Sequence, residues 1–307
     1  MSTDTFNAGY RSADTYNEML PPHYYGGIED TDLVGDLLAR TFGPAGSHRR
    51  DLRVLDLGCG PGRVTERLAP YAGELHGTDK SAGMVWRFAA SFPGARATVG
   101  DTESVVARLL ATGAGGGYDL VGSFWSMSYP LLECFEETGP DGVVAVGDPA
   151  AGVARADRIV DGLIRLLAAD GHLVMLFFDA DSAEQRLVTR LWERIAPFPG
   201  SGRGYTWQLL EEGLLRAERE GRGTLTTSRL SGVAVAEDAR AAREWFRIGH
   251  LNSFAGLVDD PEVLAEIDAF VSGHTAPDGR VLIPSGVHLV HFRAGAAAAD
   301  SLPGTDG

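Results

Sequence analysis

Lysine is nearly missing from this chain of 307 residues: Lys80 is the single example, and every other cationic side chain is arginine or histidine. We read that as a compositional bias of the coding sequence. Cations are scarce altogether, with 27 Lys and Arg against 42 Asp and Glu, a formal net charge of −15. Such a field repels a phosphate backbone, so nucleic acid and anionic membrane surfaces are disfavoured as partners. There are only two cysteines, Cys59 and Cys134, and no CxxC or Cys/His cluster. That excludes a disulfide framework and gives no sign of structural zinc or another metal. No apolar run approaches the roughly 20 residues of a membrane span. The N-terminal MSTDTFNAGY has neither a basic nor an apolar leader segment, so a cytoplasmic protein is expected.

What is present is ordinary globular composition, 44% hydrophobic and 22% charged. Apolar runs alternate with amphipathic stretches. RVLDLG (53–58), ELHGTD (74–79), ATVG (97–100), DLVGSFW (119–125) and HLVMLFFD (172–179) read as strands, with helices expected over 62–69, 81–91 and 155–169. Continuous apolar strands between helices predict an α/β fold with a parallel sheet covered on both faces. Farther on, 206–219 looks helical, 224–236 is β-rich, 237–272 reads as two helices, and GVHLVHFRA (286–294) closes as a strand. The late β-rich pair predicts an antiparallel addition to the sheet edge. We divide the chain into an N-terminal lid or arm (1–50), a core (51–180), the rest of the sheet with a helical cap insertion at 237–280 (181–294), and a flexible tail (295–307).

The strongest motif is Asp56-Leu57-Gly58-Cys59-Gly60-Pro61-Gly62 at the end of the first strand. Alternating glycines permit a sharp turn and a close ligand approach, and the following helix offers amides to an anion. The spacing is GxGxG rather than the GxGxxG of nicotinamide sites. Asp79 ends the second strand, 19 residues after Gly60, where an acid can accept hydrogen bonds from ribose hydroxyls. Asp101-Thr102 follows the third strand, placed to meet an adenine amino group. Cys59 reads as a small packing residue, not a nucleophile.

VLDLGCGPG, TDKS and GDTES, each at a strand end and in this order, resemble the class I methyltransferases that use S-adenosyl-L-methionine (SAM) and release S-adenosyl-L-homocysteine. The resemblance covers about residues 50–180. It implies a Rossmann-like, seven-stranded sheet, mostly parallel with an antiparallel last strand, and no metal. It also implies a SAM site of Asp56, Gly58, Gly60, Gly62, Asp79, Lys80, Asp101, Thr102 and Ser123. Met84 would pack on the adenine ring or simply belong to the helix core.

Methyl transfer requires alignment of donor and acceptor and, where the acceptor carries a proton, a base. Three segments offer candidates. In PPHYYGG (21–27), Tyr24 or Tyr25 sits in a loop between prolines and glycines. In SFWSMSYPLLE (123–133), Glu133 has an apolar sequence setting that would raise its pKa, unless it lies on a solvated helix side. In EWFRIGH (244–250), His250 follows an aromatic pair. Tyr24, Glu133 and His250 together resemble the bacterial indole C3-methyltransferases of secondary metabolism, which act on tryptophan-derived molecules such as cyclic dipeptides and form pyrroloindolines. Tyr25 and Glu136 are the alternatives to Tyr24 and Glu133, and Tyr25, Phe124, Trp125, Tyr129 and Trp245 would line the small-molecule acceptor site. SxWxxxYxLxxE also resembles the glutamate loop of arginine N-methyltransferases, with Glu136 or Glu137 as second carboxylate, although Phe124 follows Ser123. A non-catalytic SAM-binding module is a third reading. A homodimer is compatible with all of them.

Overall fold

Leu52–Leu57 is a largely apolar strand whose residues 54–57 are buried on both faces of a sheet, and it lies inside the parallel half of that sheet. A computed structural model describes residues 19–46, 51–139, 142–145, 148–194, 202–251 and 255–295. The elements are β1 (His23–Tyr25), β2 (Ile28–Glu29), α1 (Asp30–Phe42), β3 (Leu52–Leu57), α2 (Thr65–Leu68), β4 (Ala72–Asp79), α3 (Ala82–Ser91), β5 (Arg96–Val99), α4 (Thr102–Ala111), β6 (Tyr118–Phe124) and α5 (Ser128–Leu132). They continue with β7 (Glu136–Gly139), β8 (Gly142–Ala145), α6 (Pro149–Leu166), β9 (Leu167–Phe178), α7 (Ala183–Trp192), α8 (Arg203–Arg219), β10 (Gly223–Ala236), α9 (Ala239–Glu244), a π-helix (Trp245–His250), α10 (Ala255–Val258), α11 (Pro261–Gly273) and β11 (Val281–Ala294).

The main sheet has nine strands in the order β2-β1-β10-β11-β9-β6-β3-β4-β5. β9, β6, β3, β4 and β5 run parallel, and β11 pairs antiparallel with β9. The α/β class and the antiparallel last strand are as expected from the sequence. The strand count is corrected from seven to nine, because PPHYYGG and the residues after it form a hairpin instead of a loop. Gly26 and Gly27 sit at φ +61° and +83°, the two left-handed positions of a tight hairpin turn, and β1 adds to the edge of β10. Of the N-terminal arm expected over 1–50, residues 1–18 and 47–50 lie outside the described residues.

Local sequence sets the helix starts. Asp101, Ser182 and Asp238 each cap a helix by accepting a backbone N–H with the side chain, and Asp148 and Asp260 do so just ahead of a proline. One face of the sheet packs on α4, α6 and α8 through Val105, Leu109, Ile159, Leu163, Leu210 and Leu214. The other packs on α1 and α2 through Leu33, Val34, Leu38 and Leu68. The insertion between β10 and β11 builds a further core with α7, centred on Leu187, Leu191, Phe246, Ile267 and Ile283. Among the described residues, no helix is long and apolar enough to cross a membrane.

Candidate active site

The glycine loop leaves β3 and returns against the second parallel strand: Cys59 N–H donates to Thr78 O at 2.9 Å and Gly60 N–H to Asp79 Oδ2 at 3.0 Å. Each glycine answers a different demand. A Cβ on Gly58 would sit 2.4 Å from Ser126 Cβ, and one on Gly62 would sit 2.4 Å from the Phe92 ring. Gly60, at φ +53°, has nothing within 4 Å of that position, so the loop is open to a ligand there. Burial pushes the Cys59 thiol well above its ordinary range, which suits a packing residue.

Two acids flank this opening. Asp56 is buried, accepts from Thr65 Oγ1 at 2.5 Å, and leaves its other carboxylate oxygen without a partner. Burial raises its pKa to about 7. Asp79 takes backbone N–H groups from Gly60 and from Ser81 (2.8 Å), with its pKa raised by burial. Met84 is buried under the cap of α3, and Asp101 caps α4 through Ser104 N–H with Thr102 as the first helical residue. An open glycine, an orphaned buried carboxylate oxygen and an acid at the next strand end fit the demands of SAM. Among the described residues, no cluster of three or more His, Cys, Asp or Glu side chains is arranged to hold a metal.

The segment after β6 joins this loop to a second, aromatic region. Ser126 Oγ donates to Leu57 O at 2.8 Å and lies 2.7 Å from Ser123 Oγ. Trp125, between them, holds φ +60°, a left-handed conformation costing about 1–2 kcal/mol for a non-glycine residue. Its ring is 5.0 Å from Phe178 and 5.7 Å from His23. His23 lies 5.8 Å from Trp245, which meets His250 at 4.7 Å. Trp192 Nε1 donates to His250 O at 3.1 Å. Arg203 closes the circuit, its guanidinium 4.9 Å over Trp192 and 3.8 Å over Phe178. Trp125 and Tyr129 are the half-buried members on the side of the glycine loop.

Inside this cage sits Glu184, fully buried. It accepts from Trp245 Nε1 at 2.7 Å and His250 Nε2 at 3.1 Å through one oxygen, and from Ser285 Oγ at 2.8 Å through the other. Burial alone would raise its pKa, but the bonds and charge it receives outweigh that and lower it to about 2. Burial lowers the pKa of His250, and Glu184 restores only part of it. An ionised carboxylate can only accept, so Nε2 carries the imidazole hydrogen and Nδ1 is left as a base. That Nδ1 is buried and has no hydrogen-bond partner. The π-helix makes this possible: in an α-helix residues five apart diverge by about 140°, whereas here Trp245 and His250 reach the same oxygen.

The structure therefore separates the residues that the sequence grouped. His250 is in the cage. Tyr25 is buried there beside Trp125, at 6.2 Å, whereas Tyr24, its neighbour on β1, is only partly buried and points to the opposite sheet face. Glu133 is not in the desolvated setting expected: it ends α5, remains about one-third exposed, and pairs with Lys80. Burial, with Glu133 nearby, raises Glu136 instead, to about 7. Phe124 is buried under the sheet, and Tyr129 OH accepts from Arg203 at 3.0 Å. Glu184, Gln185 and Arg203 were not singled out by sequence. AEQRLVTRLW reads as an amphipathic helix whose acids face solvent, and no local pattern marks them as buried.

Residues 54–138 match the family profile of a methyltransferase domain. No curated protein sequence matches the chain. Among solved structures, the YcgJ protein of Bacillus subtilis aligns with a TM-score of 0.51 at 14% identity, covering 86% of this chain and 99% of that one. A methyltransferase-like protein of Bacillus halodurans C-125 aligns at 0.47 and 15%, covering 87% and 99%. A protein from a study of disulfide-to-thioacetal conversion in echinomycin biosynthesis aligns at 0.48 and 19%, covering 96% and 92%. At these identities the likeness is one of fold. Together with the loop geometry, the domain match defines the class: the enzyme is a SAM-dependent methyltransferase. The acceptor is a separate matter.

Proposed function

We propose that the enzyme methylates the indole C3 of a tryptophan-derived small molecule, with pyrroloindoline formation, in bacterial secondary metabolism. The observation that carries this reading is the Glu184–His250 pair inside an aromatic cage that abuts the glycine loop through Ser123–Ser126. SAM, when bound, supplies an electrophilic methyl group. Asp56, the open Gly60 and Asp79 would hold it, and Trp125 would stand between it and the acceptor. Aromatic walls favour a flat ring and stabilise positive charge developing on it. Attack by C3 acidifies the indole N1–H. His250 Nδ1 is the group suited to take that proton, with Glu184 fixing its tautomer and balancing the resulting charge.

Transfer to arginine or another guanidine has one supporting observation, the neighbouring Glu133 and Glu136 carboxylates. Against it, Lys80 already occupies that pair as the counter-cation. The test is a transfer assay with isotope-labelled SAM and tryptophan cyclic dipeptides, tryptophan derivatives and arginine as acceptors, the labelled carbon being located by NMR. Label on a quaternary indole C3 is expected. Label on a guanidinium nitrogen would replace this reading with the second one, and SAM binding without transfer to any acceptor would favour a binding module.

A further inference from the structure

Ser285 stands at the end of a row that crosses three strands. In the register of the sheet, Tyr25 on β1 faces Gly232 on β10, and Gly232 faces Ser285 on β11. A Cβ on Gly232 would sit 2.3 Å from both Tyr25 Cδ1 and Tyr24 O, so the missing side chain lets the Tyr25 ring lie across β10 toward Ser285. Both ends of the row are buried, with the phenol near the Ser285 hydroxyl. A serine hydroxyl has one hydrogen to give. Here it is spent on Glu184 Oε2 at 2.8 Å, so toward Tyr25 the hydroxyl offers lone pairs only. The other oxygen, Oε1, receives Trp245 Nε1 at 2.7 Å and His250 Nε2 at 3.1 Å. His23 adds its field to Glu184, and His23 and Arg203 add theirs to His250.

A buried histidine beside a buried carboxylate has two protonation patterns, a neutral imidazole against an ionised acid or an imidazolium–carboxylate ion pair. Only the first leaves Nδ1 a base. The choice depends on how much negative charge the carboxylate keeps for the histidine, and every hydrogen bond into the carboxylate disperses some of it. Trp245 competes for the oxygen that His250 uses, and Ser285 draws on the opposite one. We infer that Ser285 is a positioning residue for the proton-accepting pair: it fixes the second oxygen of Glu184 and keeps enough charge off the first for His250 to remain an unprotonated base. This rests on the reading of His250 as the base and adds the group that sets its working range. It also gives the edge hairpin a part in the site, since Tyr25 packs toward the residue that does this.

The test is an NMR titration of the His250 imidazole in protein labelled with nitrogen-15 histidine and loaded with S-adenosyl-L-homocysteine, which needs no acceptor. The acid limb of kcat/KM is measured beside it. A hydrogen bond to a charged group is worth about one pH unit or more, so Ser285→Ala should move the His250 midpoint upward by about one unit. Ser285→Cys, whose thiol is a weak donor, should move it upward by less, and it replaces Ser285→Ala if that variant melts too low to titrate. A loosened, wetter cage would also move the midpoint upward, and a double-mutant cycle with Glu184→Gln separates the two causes. An effect carried by the carboxylate disappears in the Glu184→Gln background, whereas wetting persists there. No shift, a downward shift, or an equal shift in both backgrounds overturns the role given to Ser285. If the midpoint moves as expected but the kinetic limb does not follow it, the positioning stands and His250 is not the base.

Discussion

Trp125 and Arg63 hold the same carboxylate: Trp125 Nε1 donates to Asp30 Oδ2 at 2.7 Å, while the Arg63 guanidinium straddles both Asp30 oxygens at 2.8 and 2.5 Å. Arg63 directly follows the last glycine of the cofactor loop, and Trp125 is a wall of the cage, so Asp30 ties the two halves of the site together. Burial pushes the Asp30 carboxyl up, but Arg63, His23 and Trp125 together more than offset it and leave the pKa below its ordinary value. Asp30→Asn should therefore raise the KM for SAM and for acceptor together, and cost about 3 kcal/mol of stability, as a broken buried ion pair does. Trp125→Phe keeps the Arg63 link and should affect the acceptor alone. Steady-state kinetics with each substrate varied in turn separate the two; an Asp30→Asn enzyme with only its acceptor KM changed would contradict the coupling.

Glu184→Gln tests the proton-accepting pair. Removing the carboxylate leaves an imidazole with no fixed tautomer, and general-base catalysis is worth roughly 10²–10⁴ in rate. We expect kcat to fall in that range while SAM affinity holds. The pH profile gives a second readout. Because burial lowers the His250 pKa from 6.5, the acid limb of kcat/KM should lie below pH 6.5. Glu184 raises that pKa, so its neutralisation should move the limb lower still. Glu133→Gln breaks only a pair with Lys80 that is about one-third exposed, worth about 0–1 kcal/mol, and should reduce kcat far less. A larger effect at Glu133 than at Glu184 would return the base to α5.

The two halves of this site differ in how far the sequence discloses them. The residues proposed to hold the cofactor sit at strand ends in fixed order, so Asp56, Gly60, Asp79 and Asp101 can be found from a motif and a strand pattern. The cage is assembled from β1, β6, β9, α7, α8 and the π-helix, and its polar members carry no local signature. Glu184 and Arg203 look like solvated helix residues until tertiary packing buries them. Tyr24 and Tyr25 could not be told apart because a strand of three residues has no measurable period. The Gly26-Gly27 pair signals the hairpin turn, but the inward face is set by the docking of β1 on β10, a tertiary contact with no local signature.

That hairpin makes the tyrosines a direct comparison. Tyr25 is buried beside Trp125 and near Ser285, and burial raises its phenol well above the ordinary value, so it stays protonated throughout the working pH range. Tyr25→Phe should lower kcat/KM for the acceptor, and Tyr25→Ala should also destabilise the fold by about 3–5 kcal/mol through the cavity left behind. Tyr24→Phe should leave both unchanged. The reverse order in a paired kinetic and thermal-melting comparison would show that β1 presents its other face to the acceptor.

The three glycines should respond in distinct ways. Gly62→Ala drives a methyl into the Phe92 ring and Gly58→Ala drives one into Ser126, so both should destabilise the apo protein. Gly60→Ala meets open space and adds only the left-handed strain of about 1–2 kcal/mol, yet it places a methyl where we propose that the cofactor approaches. It should melt close to the native protein and bind SAM weakly. Calorimetry that finds native SAM affinity in Gly60→Ala would mean that the ligand does not pass this residue.

Asp56 gives the pH dependence of the apo protein a definite sign. Its pKa rises from 3.8 to about 7 on folding, so between those values the folded state binds more protons than the unfolded chain. Its contribution to stability is present at pH 4 and is lost as pH rises through 7, a change of up to roughly 4 kcal/mol. Other groups titrate in the same window, and His76 works in the opposite direction because burial lowers its pKa to about 4. The difference between the native protein and Asp56→Asn isolates the single carboxyl. Relative to the variant, the native apo protein should lose melting temperature steadily from pH 4 to pH 7. Parallel melting curves across that range would mean that Asp56 is already ionised in the fold, with its orphaned oxygen satisfied by solvent before any cofactor arrives.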